Sequence, residues 1–547
     1  MKGNKYVARM LAEYNVSHLF YQDFAMPNTL TELKREGVKL ILCKSEFGAA
    51  YMADGYARAS CKPGVVITQA IGSANLAAGL HDAYLAGSPV IAVTDKKTCK
   101  YQYRNAYQCS DHKRLFDATC RFNAFCDDPA EWPRILNQAF REVTCLNPGP
   151  AYIDSNGFMI NTPLDLADLP DEIHINKRFA SYPPFRPCAE ERDVRSAAEA
   201  IMNAKKPVMV VGRGAVISGA SEEVRGLAYL ADMPVLLTPD GKGILDETDA
   251  VFGGIIGAYG MKGANQTVQA ADLVFYVGCG TNDHTTLDFT SPDPLTPVIQ
   301  LDIDPVELGR GFVNCIPLCA DAREGLKQLI KAMERQEHRE WREQAANNME
   351  TTLRAMKAHS ESTAQLTPAD ICGSITRVLP ENGIIVSDTG YSAIWSANYI
   401  HVKPSQFYTR AAGSLGWSYP ASLGCKCAAP DRPVVCFLGD GAFYYYLNEM
   451  ETAVRNDINT VTIINNNGGY NQCGIIHENL IGKEEAADRY QFTPVNFEKV
   501  CQGFHVWYRK VEKADELDEA ISSALAAGKP AVVECVTTRD FHPLACK

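Results

Sequence analysis

The sequence predicts an α/β protein built as three doubly wound domains with mainly parallel sheets. Three observations predict it. Short, continuous apolar runs alternate with helical stretches, as expected of strands buried on both faces and joined by crossover helices. The apolar rhythm breaks twice, in a Pro- and charge-rich stretch at 161–190 that includes Pro183, Pro184 and Pro187, and in a polar, charged stretch at 334–365. A chain of 547 residues is also too long for one core and divides naturally into three domains of ordinary size. The breaks set the expected domains at 1–165, 190–335 and 365–547.

In chain order, strands are expected at 38–43, 65–68 and 90–94 in the first domain, and at 208–211, 235–237, 273–277 and 298–303 in the second. The third should carry strands at 384–387, 434–438, 461–464 and 532–536. Each is an apolar run too short for a helix and bounded by polar or turn residues. The stretch 334–365 has little core-forming pattern and reads as an exposed helix.

Composition narrows the function. A formal charge of -12 disfavours nucleic acid as a partner. The 19 cysteines are scattered, and Cys425 with Cys427 or Cys315 with Cys319 lack the paired spacing of a zinc site, so buried reduced thiols are expected. Residues 1–20 hold no signal-peptide apolar run, and no stretch of about 20 apolar residues offers a bilayer span. The expectation is a soluble, cytoplasmic protein with no membrane partner.

Four segments carry chemistry. In the first, the strand at 434–438 ends in Gly439-Asp440-Gly441, where the glycines let backbone approach a ligand and Asp440 supplies a hard carboxylate oxygen. A helix with Leu447, Met450 and Val454 on one face follows, and the strand at 461–464 then delivers Asn467 beside Asp440. Two such strand ends suit a metal-bound diphosphate, since Mg²⁺ takes few protein oxygens and completes its shell with phosphate and water. An ordinary βαβ unit with turn glycines is the alternative. In the second segment, 44–58, Glu46 follows a strand and opens a helix rich in small residues, including Gly48, Ala49 and Ala50, which suits a tightly packed interface. A favourable charge at a helix start is the plainer reading. The third, 413–421, is a Gly-rich loop leading into a helix, and the fourth is Asp388-Thr389-Gly390-Tyr391-Ser392 after the strand at 384–387.

Together these segments resemble the thiamine diphosphate (ThDP) enzymes of the acetolactate synthase and 2-oxo acid decarboxylase family, over essentially the whole chain. The resemblance implies a pyrimidine-binding, a central and a diphosphate-binding domain in that order. It assigns Asp440, the Asn467 side chain and the Gly469 carbonyl to Mg²⁺, and Gly441 and Ala442 to the diphosphate, with Tyr391 and Ser392 as further contacts. Glu46 becomes the catalytic glutamate that hydrogen-bonds the aminopyrimidine, a role that needs a carboxyl shielded from water. Leu415 becomes the bulky residue that holds the cofactor bent, with the Gly413 carbonyl and the Leu415 N–H on the pyrimidine. Asn75 and Tyr470 are assigned to the cofactor region as well.

The substrate pocket is less legible. The segment 20–27 departs from the Gly- and Pro-containing turn of relatives, while Asp23 lies before Glu46 at a distance similar to that of an Asp-Phe pair in simple 2-oxo acid decarboxylases. Gln108 matches a glutamine of acetolactate-synthase-like enzymes. His112 suits a proton donor because its ordinary pKa lies near neutrality, or else is a surface histidine beside Lys113 and Arg114. In the central domain, Gly212 and Gly214 after the strand at 208–211 offer a nucleotide-binding turn, and 238–243 and 302–305 resemble acetolactate synthase segments, some of which bind FAD; ADP or a bare scaffold are the other outcomes. The expected activity is ThDP- and Mg²⁺-dependent decarboxylation of a small, pyruvate-like 2-oxo acid, with release of an aldehyde or carboligation to a second carbonyl. An acyl-CoA lyase and a non-catalytic scaffold are the alternatives. A site shared between domains implies a homodimer or homotetramer.

Overall fold

The computed structural model describes residues 1–22, 24–101 and 104–544. Its strands form three six-stranded sheets in which every pairing between strands is parallel. The first comprises β1 (His18–Gln22), β2 (Lys39–Leu42), β3 (Gly64–Thr68), β4 (Val90–Lys96), β5 (Phe122–Cys126) and β6 (Ala151–Asn156), in the order β2-β1-β3-β4-β6-β5. The second comprises β7 (Pro207–Val211), β8 (Val235–Leu237), β9 (Phe252–Ile255), β10 (Leu273–Val277), β11 (Val298–Asp302) and β12 (Cys315–Cys319), in the order β12-β11-β10-β7-β8-β9. The third comprises β13 (Ile384–Ser387), β14 (Phe407–Arg410), β15 (Val434–Gly439), β16 (Val461–Asn466), β17 (Trp507–Val511) and β18 (Ala531–Val536). Its order, β14-β13-β15-β16-β18-β17, repeats the topology of the first sheet, so the outer domains are two versions of one fold around a different central one.

Seven helices matter for the site: α1 (Glu46–Ser60), α2 (Ser73–Leu85), α3 (Arg339–Ser360), α4 (Tyr391–Tyr399), α5 (Ser418–Ala428), α6 (Asp440–Tyr446) and α7 (Glu449–Arg455). The Ser45 hydroxyl caps α1 by accepting from the Gly48 N–H at 3.0 Å, and Cys61 ends the helix in the left-handed region at φ 54°. The small residues of α1 serve the close packing that their pattern predicts. A side chain at Gly55 would strike the Ala421 carbonyl of α5, and one at Gly424 would strike the Met52 carbonyl of α1. These reciprocal contacts make α1 and α5 antiparallel, and they merge the facing sides of the two outer domains into one core that holds Ala49, Met52, Trp417 and Leu423.

Two expectations are corrected. The helix expected to be exposed in 334–365 is α3, whose Trp341, Ala345, Met349 and Met356 are buried against the central domain, with Trp341 Nε1 donating to the Pro207 carbonyl at 2.9 Å. Four apolar residues spread over a long charged helix make a stripe too narrow to stand out in composition. The single helix expected between the Asp440 and Asn467 strands is two short ones, α6 and α7. No helix among the described residues is long and apolar enough to cross a membrane.

Candidate active site

Strand register brings two of the singled-out segments together at the carboxyl ends of strands in the third sheet. Ser387 on β13 pairs with Phe437 on β15, and Gly439 on β15 pairs with Asn465 on β16, so residues 388–392, 440–442 and 467–469 leave adjacent strand ends together. Asp440 opens α6 and is 1 % exposed. Among the described residues both its carboxylate oxygens are buried without a hydrogen-bond partner, and so is Asn467 Oδ1. Burial pushes the Asp440 carboxyl up to about 7; the N–H groups of Gly441, Asn467 and Gly468 face it and moderate that rise without closing a bond.

A buried, orphaned carboxylate beside an orphaned amide oxygen is expensive in a metal-free protein, and the expense disappears if a hard cation takes the oxygens. The donor set fits Mg²⁺: it is all oxygen and sparse, with room for phosphate and water. The loop that carries Asn467 is held from outside. Arg539 donates to the Asn467 and Gly468 carbonyls, each at 3.2 Å, and the Tyr470 N–H donates to the Tyr490 carbonyl at 2.9 Å. Gly468 has φ 72°, and a side chain at Gly469 would strike the Tyr490 carbonyl. At Gly441 an added Cβ would sit 2.5 Å from the ring of Tyr470, which packs edge-on to Phe492. Ala442 and Ser392 are buried, while Tyr391 and Tyr470 are half-buried.

The loop at 412–418 is gripped from two sides. The Asp82 carboxylate on α2 accepts from the N–H groups of Ala412, Gly413 and Ser414 at 3.0, 3.1 and 2.9 Å. Asp388 accepts from Gly416 and Ser418, each at 3.0 Å, so this residue braces the loop from a fully buried position. Leu415 lies between the two grips and is half-exposed, and Gly413 has open space where a side chain would be. Arg58 on α1 holds Asp82 at 3.0 Å and Asp54 at 2.8 Å, stacks 4.3 Å above the Trp417 ring, and donates to the Arg410 carbonyl at 2.8 Å.

Glu46 stands at the first turn of α1. Asn75 Nδ2 donates to its Oε2 at 3.1 Å, and a Cβ on Gly72 would come within 2.5 Å of its Oε1, so the carboxylate rests on the turn that enters α2. It is half-buried, less shielded within one chain than its assigned role demands. Antiparallel packing puts it away from the 412–418 loop of its own chain. The Asp54–Arg58 end of α1 meets that loop, and Glu46 lies eight residues back from Asp54, about 12 Å along the helix. Next to Glu46, the turn that enters α2 exposes Ile71 at 61 %, and Asn75 on the first turn of that helix is exposed as well.

The pocket residues fare differently. Asp23 lies outside the described residues. Gln108 sits in the left-handed region at φ 57° with Oε1 buried and unpartnered among the described residues. His112 is fully buried, which corrects the surface alternative. Its Nδ1 lies 3.2 Å from Asp154 Oδ1 and 3.1 Å from the Tyr152 hydroxyl, with Lys96 Nζ 3.4 Å from the same carboxylate. Lys113 and Arg114 adjoin it in the chain, whereas β4 and β6 supply its neighbours in space. In the central domain, the glycines of 212–214 pack directly on Gly278 and Cys279, which accounts for them without a nucleotide. Lys242 forms a buried ion pair with Glu247 at 2.6 Å and donates to the Ala397 carbonyl at 2.9 Å, bolting this domain to the third. Asp82 and Glu449 have no partner legible in the sequence, because each accepts from backbone N–H groups of the other outer domain.

Comparison with known proteins agrees with this geometry. The chain matches three family models in order: the thiamine pyrophosphate enzyme N-terminal TPP binding domain at residues 1–115, the central domain at 194–329 and the C-terminal TPP binding domain at 388–535. It is 30 % identical to a probable acetolactate synthase large subunit of Methanocaldococcus jannaschii over 98 % of this chain and 92 % of that protein. It is 29 % identical to an acetolactate synthase of Arthrospira platensis over 92 % of this chain and 87 % of the relative, and 25 % identical to the isozyme 3 large subunit of Escherichia coli over 96 % and 92 %. The orphaned oxygens of Asp440 and Asn467, a glutamate at the head of α1 and three α/β domains in matching order are thus accounted for together: the chain belongs to the thiamine pyrophosphate (thiamine diphosphate) enzymes.

Proposed function

We propose that this protein is a ThDP- and Mg²⁺-dependent enzyme that decarboxylates a small, pyruvate-like 2-oxo acid and either releases the aldehyde or joins the two-carbon unit to a second carbonyl, as its acetolactate synthase relatives are named for. The observation that carries the reading is the orphaned oxygen set of Asp440 and Asn467. A scaffold has no use for a buried carboxylate without a partner, and a metal-diphosphate site does. Bound ThDP supplies the electron sink that decarboxylation of a 2-oxo acid requires. The chain's own residues do the rest: Asp440, Asn467 and the Gly469 carbonyl hold the metal, Gly441, Ala442, Tyr391 and Ser392 face the diphosphate, and Gly413 and Leu415 orient the ring end. Glu46 holds a proton at its carboxylate opposite the aminopyrimidine, and Asn75 keeps that carboxylate in place. Gln108 and His112 belong to the segment that approaches substrate, and Asp23 is the remaining candidate there.

Each site is completed by a second copy of the chain, as the separation of Glu46 from the 412–418 loop within one copy and the exposed Ile71 beside Glu46 both favour. A homodimer is the minimum, and a homotetramer of two such dimers is compatible. The free, mostly buried cysteines suit a reducing compartment such as the cytoplasm. For the central domain we favour bracing over FAD or ADP binding, which the absorbance spectrum of the purified protein checks. The reading is tested by NMR product analysis with Mg²⁺, ThDP and a panel of 2-oxo acids led by pyruvate, with and without aldehyde acceptors. Acetolactate or another hydroxyketone supports carboligation, and aldehyde alone supports simple decarboxylation. Consumption of none of the acids overturns the reading.

A further inference from the structure

We infer that Asp82 and Glu449 are a reciprocal pair of positioning residues, each a buried carboxylate with which one outer domain fixes the active-site segment of the other domain of the same chain. The inference rests on the assignment of Glu46 and the 413–415 loop to the cofactor site.

The geometry is two-fold. β3 and β15 occupy the same place in sheets of the same order, and each is followed by helix that presents one buried carboxylate to the opposite domain. From the first domain, Asp82 takes three consecutive N–H groups, those of Ala412, Gly413 and Ser414, just ahead of α5. From the third domain, Glu449 on α7 takes the N–H of Lys44 at 2.9 Å, just ahead of α1, and packs so closely on Gly48 that no side chain fits there. The approximate axis relating them passes between α1 and α5, where Gly55 and Gly424 make their matching contacts. Both carboxylates are 0 % exposed, and each has a local anchor: Arg58 for Asp82 at 3.0 Å, and the Thr452 hydroxyl for Glu449 at 2.7 Å.

Backbone N–H groups turned toward a fixed carboxylate fix the peptide planes that carry them, because charge-assisted bonds of this kind are short and directional. Asp82 thereby sets the conformation of the loop that offers Gly413 and Leu415 to the cofactor. Glu449 sets residues 44–48, on which Glu46 is mounted. The two grips serve different parts of the chemistry, one the seating of the cofactor and the other the aim of the catalytic carboxylate. In a dimer with shared sites they also serve different sites, so each chain stiffens both.

The test compares the full-length protein with Asp82→Asn and Glu449→Gln. An amide keeps the shape but loses the charge and half the acceptor capacity. Calorimetric titration of the metal- and cofactor-free proteins with Mg²⁺ and ThDP gives affinity, product NMR at saturating cofactor gives turnover, and thermal unfolding of the cofactor-free proteins reports stability. For Asp82→Asn the expected loss of affinity is about tenfold and exceeds the loss of turnover. For Glu449→Gln the order is reversed, with turnover falling about tenfold and affinity falling less. Losses in equal proportion that track the fall in unfolding temperature, or no loss in either variant, overturn the pairing and leave both carboxylates as packing residues. Failure of the wild type itself to bind ThDP or to turn over any 2-oxo acid instead overturns the functional reading on which the inference rests.

Discussion

Replacing Asp440 by Asn should make the metal-free protein more stable while abolishing its response to cofactor. The carboxylate is 1 % exposed, has no hydrogen-bond partner among the described residues, and is held at about 7 against an ordinary value of 3.8. That displacement corresponds to an upper limit of about 4 kcal/mol for ionising the group inside the folded protein. The sign follows from linkage. Because the folded state binds the proton more tightly than the unfolded chain, the metal-free protein is least handicapped below the unfolded value near 4, loses stability as pH rises towards about 7, and stays at its lowest above that. Local relaxation and water entry reduce the recoverable part, so Asp440→Asn should gain about 1–3 kcal/mol near pH 8. At about 3 °C per kcal/mol for a domain of this size, the third domain should melt several degrees higher. Scanning calorimetry in EDTA near pH 8 and near pH 5 reads this directly, with the difference falling to less than half at the acid end. Adding Mg²⁺ and ThDP near pH 8 should raise the wild-type transition and leave the variant where it was. A variant that melts at or below the wild type in EDTA near pH 8 would refute the claim that the pocket holds an unsatisfied charge awaiting a cation.

Further expectations concern the rest of the framework. Glu46→Gln should retain ThDP affinity by calorimetry within about threefold and lose turnover by about a hundredfold or more, since it keeps the shape of a residue whose task is to hold a proton. Gly441→Ala places a methyl 2.5 Å from the Tyr470 ring and should weaken Mg²⁺-dependent ThDP binding by about 1–3 kcal/mol, read by titration calorimetry. Lys242→Met leaves the Glu247 carboxylate buried without its counter-charge, with the Val402 N–H still donating to it at 3.1 Å, which should cost about 3 kcal/mol; adding Glu247→Leu should restore much of it, as denaturant unfolding of the single and double variants will report.

Most interior strands were legible in the sequence, whereas the interior strands β1 and β6, which carry polar residues, and the edge strands β5, β9, β12, β14 and β17 were not. Strands buried on both faces, such as β7, β10 and β15, are continuous runs of apolar residues and announce themselves. The edge strands β5, β12 and β17 carry polar and exposed residues along one face, so neither an apolar run nor a clean alternation marks them. The same distinction runs through the site. Asp440, Asn467 and Glu46 sit in short motifs that stand out in the sequence, and the structure brings Asp440 and Asn467 to neighbouring strand ends. Asp82, Asp388 and Glu449 act on the backbone of residues far away in sequence, and a carboxylate bonded to peptide N–H groups has no sequence partner to betray it. His112 shows the converse. Its neighbours in the chain suggest a surface, whereas the parallel pairing of β4 with β6 encloses it.

The account stands or falls on whether Glu46 of one copy and Asp440 of another serve the same site. Chains carrying Glu46→Gln and chains carrying Asp440→Ala, differently tagged, can be mixed under conditions that exchange subunits and assayed for consumption of a 2-oxo acid. Neither variant alone should turn over. In the mixed dimer both lesions fall in one site and leave the other intact, so recovery to about a quarter of wild-type activity is expected, half the dimers being mixed and each keeping one sound site. No recovery from a preparation in which the two tags copurify would contradict the shared site and, with it, the proposed assembly of the active centre.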